Sequence, residues 1–220
     1  TFTDVDAADT HTAIWSWGDG TTTTVSATTG STTALHTYAA AGIYTITLTI
    51  IDNNGGSASQ SFQFIVVYDP SGGFVTGGGW INSPAGAYTT DTSLSGKATF
   101  GFVSKYLKGA NVPSGDTQFQ FKAASFDFKS KDYQWLVIAG AKAQYKGTGT
   151  VNGAGNYGFM LTSVDGDLSG GGGIDKFRLK VWTINIGGSD GGIVYDNNLG
   201  ASDTADPSTA LGGGSITIHK

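Results

Sequence analysis

Cysteine is absent from the 220 residues, and so is glutamate: all 17 acidic residues are aspartate. Arginine occurs once, at Arg178, methionine once, at Met160, and proline only four times. Without cysteine there is no disulfide framework, no thiolate zinc site and no cysteine nucleophile. The loss of Glu, Arg and Met removes strong helix formers, which nearly excludes a helical or ordinary α/β enzyme. Charged residues make up 13%, about half the usual share, which argues against a solvated disordered chain. No apolar run approaches the roughly 20 residues that span a bilayer as a helix; a run such as residues 64–68 reaches only five. No leader pattern is evident and the first residue is Thr1, so the chain is expected to be a processed product.

What the chain has in excess is glycine: 35 residues, about 16% against roughly 7% in ordinary domains. No Gly-X-Y period runs through it, which excludes collagen. Thr, Val, Ile, Tyr and Phe favour strands, and Gly, Asn and Asp supply tight turns. Low charge, abundant Thr, Gly and Asn, and missing Cys together point to an extracellular or bacterial cell-surface setting.

Charge divides the chain. Residues 1–67 hold five Asp and no Lys or Arg, a net of -5, whereas residues 74–220 hold all 12 basic residues and 11 Asp, a net of +1. Between them, residues 68–73 read Tyr-Asp-Pro-Ser-Gly-Gly, a linker composition. The expected domains are therefore 1–67 and 74–220, joined by 68–73.

Residues 12–17 place Ala13, Trp15 and Trp17 on one face. Residues 44–50 alternate, with Tyr44, Ile46, Leu48 and Ile50 facing in and three Thr facing out, the pattern of a half-buried antiparallel strand. A turn at 52–56 leads to a partner strand over 57–67, which predicts a hairpin. In the second domain the predicted strands are 74–76, 97–104, 117–122, 125–129, 133–139, 141–145, 157–165, 176–182, 192–195 and 215–219. Ala98/Phe100/Phe102, Phe119/Phe121 and Phe177/Leu179/Val181 supply inward faces. Ten short strands with Gly-rich turns predict a second antiparallel sandwich or barrel. The fold class is all-β.

The run Trp15-Ser-Trp-Gly-Asp-Gly20, followed by His36-Thr-Tyr38, Gly42-Ile-Tyr44 and the strand ending in Asp52-Asn-Asn-Gly-Gly56, resembles the polycystic-kidney-disease (PKD) repeat. Trp17 stands where that family usually carries Phe. The resemblance covers residues 1–67 and implies an immunoglobulin-like β-sandwich, non-catalytic, serving as an extracellular spacer or adhesive module. Trp15, Trp17, Asp19, His36, Tyr38 and Tyr44 are the structural motif it implies. The family fold also places a strand ahead of residues 1–3. That strand is expected to be missing here, leaving an open sheet edge and an uncovered apolar groove. The remainder resembles an all-β module found after PKD repeats at the C-terminal end of bacterial secreted proteins, with no activity attached.

Several residues invite chemistry. Asp19 reads either as a cation ligand or as an Asx-turn, and His36 as a hydrogen-bonding residue without a nucleophile partner; His11 and His219 stand alone. Asp4, Asp6 and Asp9 form one acidic cluster. Two others lie on loops, Asp165/Asp167/Asp175 and Asp196/Asp203/Asp206, and are the candidates for a structural Ca2+, which takes six to eight hard oxygens. The competing reading is that these Asp residues only form turns. Without Glu the EF-hand register is excluded. Paired carboxylates also serve glycoside hydrolysis, but no catalytic residue is assigned and no further cofactor is expected. Gly77–79 and Gly170–173 lack the Lys-Ser/Thr of a phosphate loop. Interspersed charge argues against nucleic-acid binding. Trp80, Tyr88, Trp135 and Tyr133 are the leading candidates for stacking on a glycan, with Tyr106 and Tyr145 behind them.

Three functions follow as expectations. The first is a surface or fibre subunit that associates with its own copies, a strand of one completing the open edge of the next. That contact is head-to-tail and builds open filaments, with the acidic first domain meeting Lys97, Lys105, Lys108, Lys122, Lys129 and Lys131. The second is a carbohydrate-binding or adhesin module accessory to a larger secreted protein. The third is a passive spacer.

Overall fold

The computed structural model describes residues 1–6, 8–28 and 30–220. The chain divides into two compact units, Thr1–Val67 and Tyr68–Lys220. Apart from one three-residue 3-10 turn at Lys122–Ala124, the regular elements are strands.

Unit 1 holds β1 (His11–Ser16), β2 (Thr22–Ala27), β3 (Gly42–Asp52) and β4 (Ser57–Val67). They form one antiparallel sheet in the order β2-β1-β3-β4. The hairpin read over 44–67 is present as β3 and β4; β2, built from Thr22-Thr-Thr-Val-Ser-Ala27, has too little apolar contrast to announce itself. Register aligns Val25, Ala13 and Ile50 with Ala58, and Leu48 with Gln60, so one face carries the apolar set. The opposite face carries hydroxyls, with Thr47 bonded to Ser61 at 2.9 Å and Thr49 to Ser59 at 2.8 Å. Only Ala13, Trp17, Ala27 and Ile50 are buried apolar residues among the described residues of this unit. Phe2, Trp15, Val25 and Leu48 pack around them half-buried.

Unit 2 is a closed barrel. Its strands are β5 (Phe74–Ser83), β6 (Gly96–Lys105), β7 (Ser114–Phe121), β8 (Phe126–Ala139), β9 (Lys142–Val151), β10 (Ala154–Val164), β11 (Lys176–Ile184), β12 (Asp190–Asp196) and β13 (Thr209–His219). Each of β5 to β10 pairs with the next, β10 pairs with β11, and β13 joins β11 back to β5. Eight antiparallel strands thus close on themselves, and closure removes free edges. β12 hangs on the later half of β11. Its other side is partly taken by residues 87–89, where Thr89 N–H meets Val194 C=O at 3.1 Å and Asp196 N–H meets Ala87 C=O at 2.8 Å.

The barrel interior is filled by rings, as a small barrel's must be. Eight phenylalanines are buried, including Phe100, Phe119 and Phe177. Phe100 and Phe177 stack at 4.2 Å. The inward faces read from alternation at 98–102, 119–121 and 177–181 are all buried.

Glycine makes these rings fit. A Cβ at Gly77 would overlap Phe102, its direct partner on β6; one at Gly158 would overlap Trp182, its partner on β11; one at Gly212 would overlap Trp80. At Gly147 and Gly149 the rings of Phe159 and Phe128 stand 2.7 and 2.6 Å from the missing Cβ. The Gly77–79 and Gly212–214 triplets are therefore strand interiors, not turns, and they lie side by side where β5 meets β13. Large residues opposite missing ones is how this sequence packs a barrel at normal density.

Candidate functional site

The PKD-like motif of unit 1 is gathered into one ladder of rings. Trp15 stacks on Trp17 at 5.6 Å, Trp17 on His36 at 4.8 Å, His36 meets Tyr38 edge-on at 4.6 Å, and Tyr38 stacks on Tyr44 at 4.2 Å. Gly18, with φ of 81° and no room for a Cβ beside Thr45, turns the chain so that Asp19 points back. One Asp19 oxygen accepts from the Thr21 amide at 3.0 Å and its hydroxyl at 2.6 Å, and the other meets His36 Nε2 at 2.7 Å. Those bonds, the Thr21 hydroxyl first, hold the Asp19 carboxyl down at about 2 despite some desolvation. Tyr38 donates to Trp17 C=O at 2.9 Å, and the Trp17 indole N–H donates to the Thr23 hydroxyl at 2.9 Å. Asp19 thus forms an Asx-turn and His36 makes a hydrogen bond to it, while the buried Trp15 indole N–H has no partner.

The two loop clusters of acids are not gathered into oxygen cages. Asp165 accepts the Ile218 amide at 2.9 Å, and Asp175 accepts those of Ile216 at 2.7 Å and Gly166 at 2.7 Å. β13 pairs with β11 only at Thr209 and Ala210. Further along, these two carboxylates take the β13 amides that no strand receives, and so finish the closure of the barrel. Asp167 is exposed. In the second cluster each acid meets its own cation. Arg178 reaches Asp196 with Nε at 2.9 Å and a terminal nitrogen at 2.8 Å, Lys180 pairs with Asp203, and Lys142 pairs with Asp206 at 2.9 Å. Sequence reading placed calcium where the fold supplies backbone amides and basic side chains. Among the described residues, one group of three carboxylates does converge: Asp4, Asp9 and Asp52, half-buried. The sequence cluster named Asp4 and Asp9 but paired them with Asp6, since Asp52 comes from the far end of β3. These carboxylates are met by His11 on Asp4, the Asn54 amide on Asp9 and the Gly56 amide on Asp52.

The aromatic candidates for a glycan are scattered. Tyr133 is buried inside the barrel, its hydroxyl 2.8 Å from that of Thr117, and Tyr145 joins the same network at 2.9 Å. Neither offers a ring face to solvent. The register shifts of β8 around Ser130–Asp132 and Tyr133–Trp135 send Tyr133 inward and Trp135 to the half-buried surface. Trp80 lies on Gly212 and Gly213 with the Lys97 ammonium 4.7 Å from its ring centre. Tyr88 leans on Phe126 and Tyr106 stacks on Tyr68 at 5.3 Å.

Sequence reasoning missed the network around Arg178. This side chain is fully buried on the outer side of the barrel wall. It also donates to Ser202 C=O at 2.7 Å, while Asn197 takes the Leu179 amide at 2.8 Å and donates to Phe177 C=O at 2.8 Å. Gln144 donates to Asp203 C=O at 2.6 Å. Together they fasten the loop after β12 over β9, β10 and β11. The one signal was that a chain otherwise free of arginine keeps a single one.

Unit 1 also presents an unpaired sheet edge. β4 is an end strand of the sheet, 11 residues long, with no charge and no proline. Phe62 on it is 48% exposed. No helix among the described residues is long and apolar enough to cross a membrane. No curated protein and no solved structure matches the chain. Residues 1–67, the first unit, match the family model described as the PKD domain, an immunoglobulin-like all-β fold.

Proposed function

We propose that this chain is an extracellular structural subunit that associates with its own copies by strand addition to unit 1. PKD domains are in general extracellular adhesive or structural modules and are not catalytic, which supports the class of function. The observation that carries the specific reading is the β4 edge. Natural sheets blunt an exposed edge with lysine, proline or a short strand, and β4 has only the register shift opposite Tyr44–Ile46. Among the described residues of this sheet only Ala13, Ala27 and Ile50 are buried apolar side chains, while Ile46, Leu48 and Val25 are partly exposed on its apolar face. A strand from a second copy would satisfy the free amides and carbonyls of β4 and extend cover over that face.

Charge supports a head-to-tail order. Unit 1 carries -5 with no cation. Among the described residues, Lys97, Lys105, Lys108, Lys122, Lys129 and Lys131 of unit 2 make no ion pair. Opposite signs favour this contact over acidic-to-acidic pairing, and a contact between unlike surfaces propagates into a filament.

Sedimentation velocity and electron microscopy over a rising concentration series test the reading. Association is expected, weakened by salt as exposed charges are screened, and lost in Phe62→Lys while the barrel melts unchanged. A chain that stays monomeric throughout, or a Phe62→Lys variant that associates like the parent, overturns it. The first result would leave a passive spacer.

A further inference from the structure

Most glycines inside the barrel strands are accounted for by a ring or a backbone atom in the place of their Cβ. Gly192 on the appended β12 is not, and nor are Gly78 and Gly101 on the closed barrel. A Cβ at Gly101 would meet nothing within 4 Å, and one at Gly78 only the Phe100 carbonyl at 4.0 Å. Neither has a positive φ. They are direct partners across β5 and β6, and both face outward. Glycine weakens a strand interior by roughly 0.5–1 kcal/mol relative to alanine, and here neither packing nor conformation requires it. The remaining use is close approach by something outside the chain.

Gly101, with Gly78 beside it on β5, lies in a trough of about 520 Å3 on the outer face of β6, β7 and the start of β8. That lies within the range of small-molecule sites, about 300–1,000 Å3. Its polar lining is Thr99, Asp116, Gln118, Gln120 and Asp127, with the half-exposed Val103 beside Gly101. Gln118 and Gln120 point the same way from β7, opposite Gly101 and Thr99. Gln118 donates to Asp116 at 3.1 Å, which leaves further donor and acceptor capacity on both amides and both carboxylates.

We propose that this trough binds a neutral oligosaccharide. Hydroxyl groups both donate and accept, and two carboxamides interleaved with two carboxylates and a hydroxyl offer both partners in one row. The lining itself contains no cationic side chain and two carboxylates, with Lys129 next to Gln118 on the same face, which favours a neutral ligand over a strongly anionic one. An added peptide strand finds no purchase, because the floor is already paired on both sides, Gly78 to Gly101 and Gly101 to Gln118. The glycine floor and Val103 present C–H surface to the apolar face of a sugar ring. None of the four aromatic residues singled out from sequence lines the trough. The proposal does not depend on self-association.

Amide chemical-shift titration of the full chain with cellohexaose, chitohexaose and maltohexaose in turn tests it, at a concentration where the protein is monomeric. Saturable shifts confined to residues 99–103 and 116–120 are expected with at least one of them. Gly101→Val fills the trough from a position with open space and suits a strand, so it should fold normally and weaken binding at least tenfold. Gln118→Ala with Gln120→Ala should weaken it while leaving the trough open. No saturable shift with any of the three sugars, or binding that survives Gly101→Val, overturns the proposal.

Discussion

Arg178 and Asp196 form the most consequential side-chain pair in the barrel, because both are 1% exposed. Removing one partner of a buried pair leaves an uncompensated charge, at a cost of about 3–5 kcal/mol. Arg178→Ala is expected to lose about that much in denaturant unfolding, and Arg178→Met with Asp196→Leu substantially less. Asp19 gives a contrasting case at the same scale. Its carboxyl is held at about 2 by the Thr21 hydroxyl and amide and by His36, below the unfolded value of about 3.9. A depressed carboxyl stabilises the fold above its unfolded value, and that contribution is lost as pH falls through the folded one. The near-UV signal of the Trp15–Trp17–His36 ladder should therefore survive the ordinary carboxylate range and fade only toward pH 2. Asp19→Asn should remove this acid step. The motif residues were legible because their order along the chain is distinctive. The partners of the loop acids were not legible, because acids show in a sequence and what they bond to does not: Arg178 and Asp196 lie 18 residues apart.

At the scale of elements, strand alternation carried most of the fold. The predicted strand over 57–67 is β4 residue for residue. β8 was read as two strands, since Lys129-Ser-Lys-Asp132 breaks the alternation. The structure runs one strand through it and absorbs the break as register shifts. Which ring or backbone atom stands across the ladder from a strand glycine was not legible, because sequence does not show cross-strand partners. Strand glycines here are of two kinds, those facing a ring and those facing open space. Gly158→Ala must push the Trp182 indole aside and should destabilise by about 1–3 kcal/mol, the usual cost of overpacking. Gly101→Ala, in open space, should be neutral or stabilise by up to roughly 1 kcal/mol. Equal destabilisation by both in urea melts would contradict the pairing of rings with glycines.

Across the whole molecule the two units differ in how completely they bury themselves. The barrel has a closed ladder and a dense ring core, whereas unit 1 has two end strands and, among the described residues, four buried apolar ones. Burial raises the phenols of Tyr145, Tyr195 and Tyr133 above their ordinary value near 10. Raised groups stabilise fully below the unfolded pKa, and that contribution falls as pH climbs beyond it. The barrel should therefore weaken above about pH 10, and phenolate absorbance should show these tyrosines ionising only as it unfolds. Unit 1 should melt separately and earlier whenever no second copy covers it, seen as two transitions in calorimetry. Domain-scale charge asymmetry was plain in the sequence, but closure was not, because strand patterns do not reveal which two strands meet last.

Hydrogen exchange along β4, measured as protein concentration rises, reaches the central claim most directly. Strand addition requires that the outward amides of β4 exchange quickly in dilute protein and slow by orders of magnitude as assemblies form, with Phe62→Lys abolishing the slowing. Rapid exchange along β4 inside particles that have demonstrably assembled would place the contact elsewhere and contradict the account.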